Sequence, residues 1–404
     1  MNKKSTHSCR RAIVLGIIPL GAAFATAGQT FNTIVDDIVS ASPALAVVES
    51  TGMADIAALK GENRLEGPEL EFERLYAPQG HDNRWSAGVS QTLPVPGQFS
   101  RLDKTVEILH KRNKAAYDAA RVEIEQATRR MLIGYIAARQ GHDLSHRIAE
   151  AADRLLAHYQ KAYDMGEATI IDLNKARIEA ARAAAADSRA ETELDRFRAE
   201  IEAISPDHAT ATAALALTDY PVTAKLPPLT QLTDNYSHTP AARLAACEAE
   251  YARATASYAS TGLWPRLALG YAHAFEEGTH YNGFTISLKL PAWGMAKTQK
   301  TEATQRLLAA ADAARDTRNT AMAGLAGSYA EAMALERQLE DFAPAVAVAD
   351  NFALLRKALD GGQLSLLEYL QETQYFIEAQ REYITIAHDH AVAVTALLPY
   401  MQPM

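Results

Sequence analysis

The sequence predicts a mainly α-helical chain that carries two short β-hairpins and is assembled from one structural unit used twice. Three observations predict this. The passage KAYDMGEATIIDLNKARIEAA, beginning at Lys161, returns as KALDGGQLSLLEYLQETQYFIEAQ, beginning at Lys357. Two alternating apolar–polar segments end in LPVPG, and two later ones end in LPAWG. After each stop, helical patterning continues far beyond the length of a globular helix. Pro94 and Gly97 match Pro291 and Gly294 at an offset of 197, and Lys161, Asp164 and Gly166 match Lys357, Asp360 and Gly362 at 196. A long repeat in nearly constant register indicates one unit used twice.

The elements follow in order. Lys3, Lys4, Arg10 and Arg11 precede an apolar run over residues 12–25, and Ala25-Thr26-Ala27 supply small residues for cleavage. Residues 1–27 therefore read as a secretory signal. Residues 31–49 form a short helix in which Pro43 sets a kink. Residues 69–76 and 84–93 alternate around the turn-rich PQGHDN, with Trp85, Ala87 and Val89 on one face and Ser86, Gly88 and Ser90 on the other, which predicts a hairpin.

Residues 99–164 contain no proline and carry a stripe that starts at Leu102, Val106 and Leu109 and resumes at Leu144, Ile148, Leu155 and Tyr159. At ~1.5 Å per residue this helix is roughly 100 Å long. Gly134 and Gly141 weaken its middle. Asp164-Met165-Gly166 interrupts it, and a second helix covers residues 169–204. Residues 205–240, rich in Pro, Thr and Ala, read as a linker, and a helix follows over 241–260. Residues 266–275 and 283–290 alternate again around EEGTHYN. Helices then resume, with Leu325, Ala332, Leu339 and Val346 spaced by sevens and a second seam running from Leu366 through Ile377 and Ala391 to Leu398.

The expected organisation is thus a signal peptide (1–27), a first repeat (28–204, hairpin about 69–93, long helices about 99–204), a linker (205–240) and a second repeat (241–404, hairpin about 266–290, long helices about 294–398). Each hairpin pairs an apolar face with a small or polar one, the lipid-out and lumen-in pattern of a transmembrane strand. Four strands cannot leave their edges open in lipid. Three chains would supply twelve strands and close a barrel; the alternative is two exposed hairpins on a periplasmic coiled-coil protein. The fold class expected is a trimeric outer-membrane β-barrel, four strands per chain and twelve in all, continued by a long periplasmic α-helical barrel.

The LPVPG stop and the two Lys-Ala-initiated turns resemble the outer membrane efflux protein family, the TolC-like exit ducts of Gram-negative bacteria, over essentially the whole mature chain. The QTLPVPGQ phrase is most similar to the heavy-metal branch, the outer-membrane partners of cobalt-zinc-cadmium or copper-silver exporters. The resemblance implies a homotrimer in outer-membrane lipid, a periplasmic adaptor (membrane fusion protein) and an inner-membrane RND pump as partners, no cofactor, and a passive duct for heavy-metal cations. Its alternatives are a drug-efflux or type I protein-secretion duct of the same fold, and a periplasmic adaptor or coiled-coil scaffold. It places the adaptor contact at Asp164, Met165, Gly166 and Glu167 and at Asp360, Gly361, Gly362 and Gln363. It places the gate at Glu368 and Gln371, where a well-known member has two acids; Gln371 departs from that pattern, and Leu364 stands where that member has a base. Asp172 occupies the matching place in the first repeat, where it bonds a neighbouring helix or caps a solvated face.

Several classes are excluded. The formal charge of −9 becomes more negative once the basic signal is removed, which disfavours a nucleic-acid partner. Cys247 would be the only mature cysteine, so no internal disulfide forms. No GxSxG, HExxH or phosphate loop occurs, and no catalytic site is assigned. His142 and His146 are four apart and can meet on a helix, but no third ligand lies near them in sequence, and no metal site is expected.

Overall fold

The computed structural model describes residues 31–62, 64–76, 83–221, 225–291, 293–347 and 351–401; the signal-like segment lies outside these, as does most of PQGHDN. Helix α1 (Phe31–Ser40) and helix α2 (Pro43–Glu62) meet at a 41° bend. Pro43 starts α2 rather than kinking one helix, as its fixed φ suits the first turn. Taken singly, no described helix is long and apolar enough to cross a membrane.

Strands β1 (Glu69–Leu75) and β2 (Arg84–Thr92) lead into α3 (Gln98–Asp164), an unbroken helix of 67 residues. Gly97 supplies the left-handed N-cap at φ 78. Helix α3 runs unbroken through Gly134, where the missing side chain serves packing. A Cβ there would stand 2.9 Å from the Phe197 ring, so the missing side chain lets α4 (Ile170–Ile204) pack close. Residues 205–240 hold α5 (His208–Leu215), α6 (Leu229–Asp234) and a 3-10 turn, with Ala214 and Leu232 fully buried. Thr239 then caps α7 (Pro240–Ala259).

Strands β3 (Arg266–Glu276) and β4 (Thr279–Lys289) form the second hairpin. Its turn is tighter than EEGTHYN suggests: β4 begins at Thr279 rather than Gly283. Only Glu277 and Gly278 make the turn, both at positive φ (50 and 80). Such a two-residue turn matches the strand twist and fixes the register. Helix α8 (Trp293–Ala347) contains Pro344; α9 (Asn351–Asp360) and α10 (Leu366–Met401) complete the chain.

The two hairpins join into one antiparallel sheet, β1-β2-β3-β4. This differs from two separate hairpins standing on a scaffold. The helices pack lengthwise: α3 touches α2, α4, α7 and α10, and α8 touches α7 and α10. The largest core cluster joins Phe31, Val35 and Val39 of α1 to Leu132, Ile133 and Ile136 of α3, with Leu194 and Ile201 of α4. A second seals Leu325 and Ala332 of α8 against Val394 and Leu397 of α10, along the seams spaced by sevens and fours.

Candidate functional site

Directly paired residues in an antiparallel sheet share a face. The register therefore sorts the strands completely. Leu70, Val89, Tyr271 and Phe284 form one row across all four strands, with Leu269 opposite Ile286 and Leu267 opposite Leu288 below it. From that row to the helix end the face is largely apolar and uncovered, with Leu70 85% and Phe284 90% exposed, whereas toward the turns it also carries Arg74, His273, Asn282 and His280. Over its middle rows the opposite face is mostly small or acidic, with Arg84 standing on it toward the turns. Its rows are Glu69–Ser90–Gly270–Thr285, Glu71–Gly88–Ala272–Gly283 and Glu73–Ser86–Ala274–Tyr281. Gly270 is required there, since a Cβ would stand 2.7 Å from the Val89 carbonyl oxygen and 2.6 Å from Thr285 Oγ1.

Trp85 and Tyr271 stand on the face of Leu70 and Phe284, whereas Tyr281 stands on the other. Trp85 stacks with Phe72 and Phe275 toward the turn end. Arg266 and Lys289 share the small-residue face at the helix end, with Arg266 ion-paired to Glu66. Strands β1 and β4 each pair on one side only. At ~3.4 Å per residue and a tilt of about 45°, the 11-residue strands β3 and β4 rise roughly 26 Å, the height of a bilayer's apolar band.

At the far end of the helices lie two turns of one design. In the first, the amides of Met165, Gly166, Glu167 and Ala168 donate to the carbonyls of Lys161, Tyr163, Ala162 and Ala162. In the second, Gly361, Gly362, Gln363 and Leu364 donate to Lys357, Leu359, Ala358 and Ala358, the same pattern at an offset of 196. Gly166 (φ 77) and Gly362 (φ 69) hold the left-handed position. Gly361 does not; its counterpart is Met165, in ordinary helical geometry at φ −86. Asp164 accepts from Gln160, and Asp360 pairs with Arg356.

The acids after each turn are cap residues. Asp172 Oδ2 accepts from Thr169 Oγ1 at 2.6 Å, while the Asp172 amide donates to that hydroxyl oxygen. Glu368 completes a full capping box: the Ser365 amide donates to its carboxylate at 2.8 Å, and its own amide donates to Ser365 Oγ at 3.3 Å. These bonds to Ser365 hold the Glu368 carboxyl below the usual carboxylate range, the backbone N–H contributing most. Gln371 is exposed one turn further along.

Sequence spacing could not show what reaches His142 and His146. Asp187 of α4 does: His146 Nδ1 lies 3.1 Å from Asp187 Oδ2, and His142 Nε2 4.0 Å from its Oδ1. The hydrogen bond with Asp187 raises the His146 pKa. Among the described residues no group of three or more His, Cys, Asp or Glu is arranged to hold a metal ion.

No protein-family model matches the chain, and no curated protein sequence matches it. Solved structures do match. A membrane protein from Pseudomonas aeruginosa shares 16% identity at a TM-score of 0.73, covering 92% of this chain and 93% of that one. The Campylobacter jejuni CmeC outer membrane channel shares 13% at 0.70, covering 99% and 93%. The outer membrane protein VceC from Vibrio cholerae shares 14% at 0.71, covering 92% and 96%. At these identities the likeness shows the fold alone: the chain is built as these solved membrane proteins are.

Proposed function

We propose that the chain is the outer-membrane exit duct of a tripartite export system, a passive conduit without catalysis. The observation that carries this is the sheet: four antiparallel strands of which β3 and β4 have membrane-spanning length, one exposed face that is largely apolar from the helix end to the Leu70–Phe284 row, and two open edges. In lipid the edges must be paired and the apolar face must turn outward. Three copies joined β4 to β1 give a twelve-strand barrel whose small-residue face lines a lumen. Each copy contributes the duplicated unit, residues 28–204 and 241–404 joined by 205–240, after export directed by residues 1–27.

The helical hairpins then cross the periplasm, and the tips at 164–167 and 360–363 meet an adaptor coupled to an inner-membrane RND pump. Exposed Met165, Ile170 and Ile171 around the first tip support a docking role. Glu368, its carboxylate bonded within its own cap, stands at the narrow end with Gln371 and Asp172, and the uncharged Gln371 leaves Glu368 without an acidic partner one turn along its own helix.

Within this reading we propose heavy-metal cations as the cargo. Glu69, Glu71 and Glu73 stand on the lumen-side face with no lysine or arginine in their three rows. Nine such carboxylates in a trimer would favour cations along those rows, with Arg84 toward the turns and Arg266 and Lys289 at the helix end setting positive charge at either end of the same face. Zinc, cadmium, cobalt, copper and silver would be measured in a deletion strain and its complemented parent after sublethal exposure. Selective accumulation of one group supports the cargo. Unchanged metals with accumulated dyes would make it a drug duct, and retention of a secreted polypeptide a type I secretion duct. A soluble, monomeric species absent from outer-membrane fractions would overturn the duct itself.

A further inference from the structure

We propose that His273 and His280 form a two-nitrogen binding site for a divalent late transition-metal ion, Cu²⁺ above all, at the turn end of the β3–β4 hairpin. The two residues are seven apart in sequence. The Glu277-Gly278 turn pairs His273 with Asn282 and Phe275 with His280, which makes the histidines diagonal cross-strand neighbours on one face. His280 Nδ1 lies 3.2 Å from His273 Nε2. Two imidazole nitrogens bound to one ion at ~2.0–2.1 Å stand roughly 2.9–3.4 Å apart, for angles from square to tetrahedral. The observed separation already falls in that range.

The surrounding bonds fix the tautomer that such a site needs. Tyr271 Oη–H donates to Asn282 Oδ1 at 2.8 Å, and His273 Nδ1 lies 2.8 Å from the same oxygen. An amide oxygen only accepts, so His273 carries its proton on Nδ1. Its Nε2 lone pair is therefore free, and it faces His280. A ligating histidine whose second nitrogen donates to a carbonyl is the usual outer arrangement of a metal site. Ring packing holds both side chains: His273 lies 5.5 Å from the Trp85 ring, and His280 lies 4.9 Å from that of Phe275.

Without metal, His280 Nδ1–H donates to His273 Nε2. On binding, that proton leaves Nδ1 while Nε2 of the same ring takes one from water, so two neutral imidazoles ligate the ion with no net proton change. The protein supplies two donors, and water or a partner-supplied donor fills the remaining positions. Imidazole suits Cu²⁺, Ni²⁺ and Zn²⁺, with Cu²⁺ highest in affinity. The site sits on a single hairpin of one chain and is independent of what the duct carries.

The test is titration of the purified full-length protein, stripped of metal with a chelator, with Cu²⁺ and then Zn²⁺. Affinity is read by competition with a chromogenic chelator, and ligation by electron paramagnetic resonance. One Cu²⁺ per chain with two nitrogen ligands is expected. His273→Ala and His280→Gln should each weaken binding at least about tenfold, and Asn282→Ala by about 10–100-fold through loss of the orienting bond. A His142→Ala/His146→Ala double variant should bind as the parent does. Unchanged affinity and spectrum in His280→Gln, or loss of the site only in the His142/His146 variant, would overturn the proposal. Copper binding here without metal export by cells would leave the site standing and remove only the cargo reading.

Discussion

The two helical turns share one backbone design and differ in what surrounds it. The first is reached by a single 67-residue helix, α3; the second by α8, which contains Pro344, and the short α9. At the first turn Met165, Ile170 and Ile171 are exposed. At the second, Leu366 occupies the position of Ile170 but is buried, packed with Leu359 and Tyr369 against Leu155 of α3. The caps differ by one methylene. Glu368 reaches the backbone amide of Ser365, whereas the shorter Asp172 reaches only the Thr169 hydroxyl. Turn geometry is thus carried by the glycine and the cap, while the side chains differ: the second tip buries Leu366 and exposes Leu367, whereas the first exposes Met165, Ile170 and Ile171 together.

The sharpest way to break this comparison is functional. Met165→Lys with Ile171→Lys should abolish export while the protein still reaches the outer membrane at normal levels, whereas Leu367→Lys at the second tip should cost less. Equal losses measured in an efflux assay would erase the proposed difference between the tips.

The next effects are on packing. Tyr369→Ala and Leu173→Ala, at matching positions and both buried, should each cost about 3 kcal/mol. Thermal unfolding would show both, and limited proteolysis should place the first near α9 and the second between α3 and α4.

Gly166→Val and Gly362→Val should each cost about 1–2 kcal/mol, because a β-branched residue is strained at positive φ. Gly361→Ala should cost less, since Met165 shows that its position accepts a side chain; an equal loss would contradict the shared design. Thr169→Ala and Ser365→Ala remove cap acceptors and should each cost roughly 1 kcal/mol, with Ser365→Ala the larger.

The smallest effect is acid sensitivity. The folded-state pKa of Glu368 is depressed, so its contribution is present above the ordinary carboxylate pKa and is lost as pH falls through the folded value. Hydrogen exchange at the second turn should rise on acidification. In Glu368→Gln that acid-dependent part should disappear, and an unchanged profile would remove the capping account.

Much of this was legible in the chain. The period of two marked all four strands and the recurring threes and fours marked the long helices, because periodicity is a local consequence of which face is buried. Gly166 and Gly362 announced the turns because little else fits a left-handed link. Other features were out of reach. Gly134 read as a helix weakener, since nothing near it in sequence reveals that Phe197 fills its place. Asp187 could not be assigned to His142 and His146 before α4 was laid beside α3.

What the sequence determined by itself is the succession of elements, their periodicity, and the repeated turn with its glycine and capping acid, all set by interactions within a few residues. What only the tertiary structure decided is register. The pairing of β2 with β3, strands more than 170 residues apart, merges two hairpins into one sheet and gathers their apolar residues on one side. The two-residue turn places His280 on a strand beside His273 instead of in a loop. Register is settled by turn geometry and by which whole face is removed from water, and a shift of one residue would invert both faces at once.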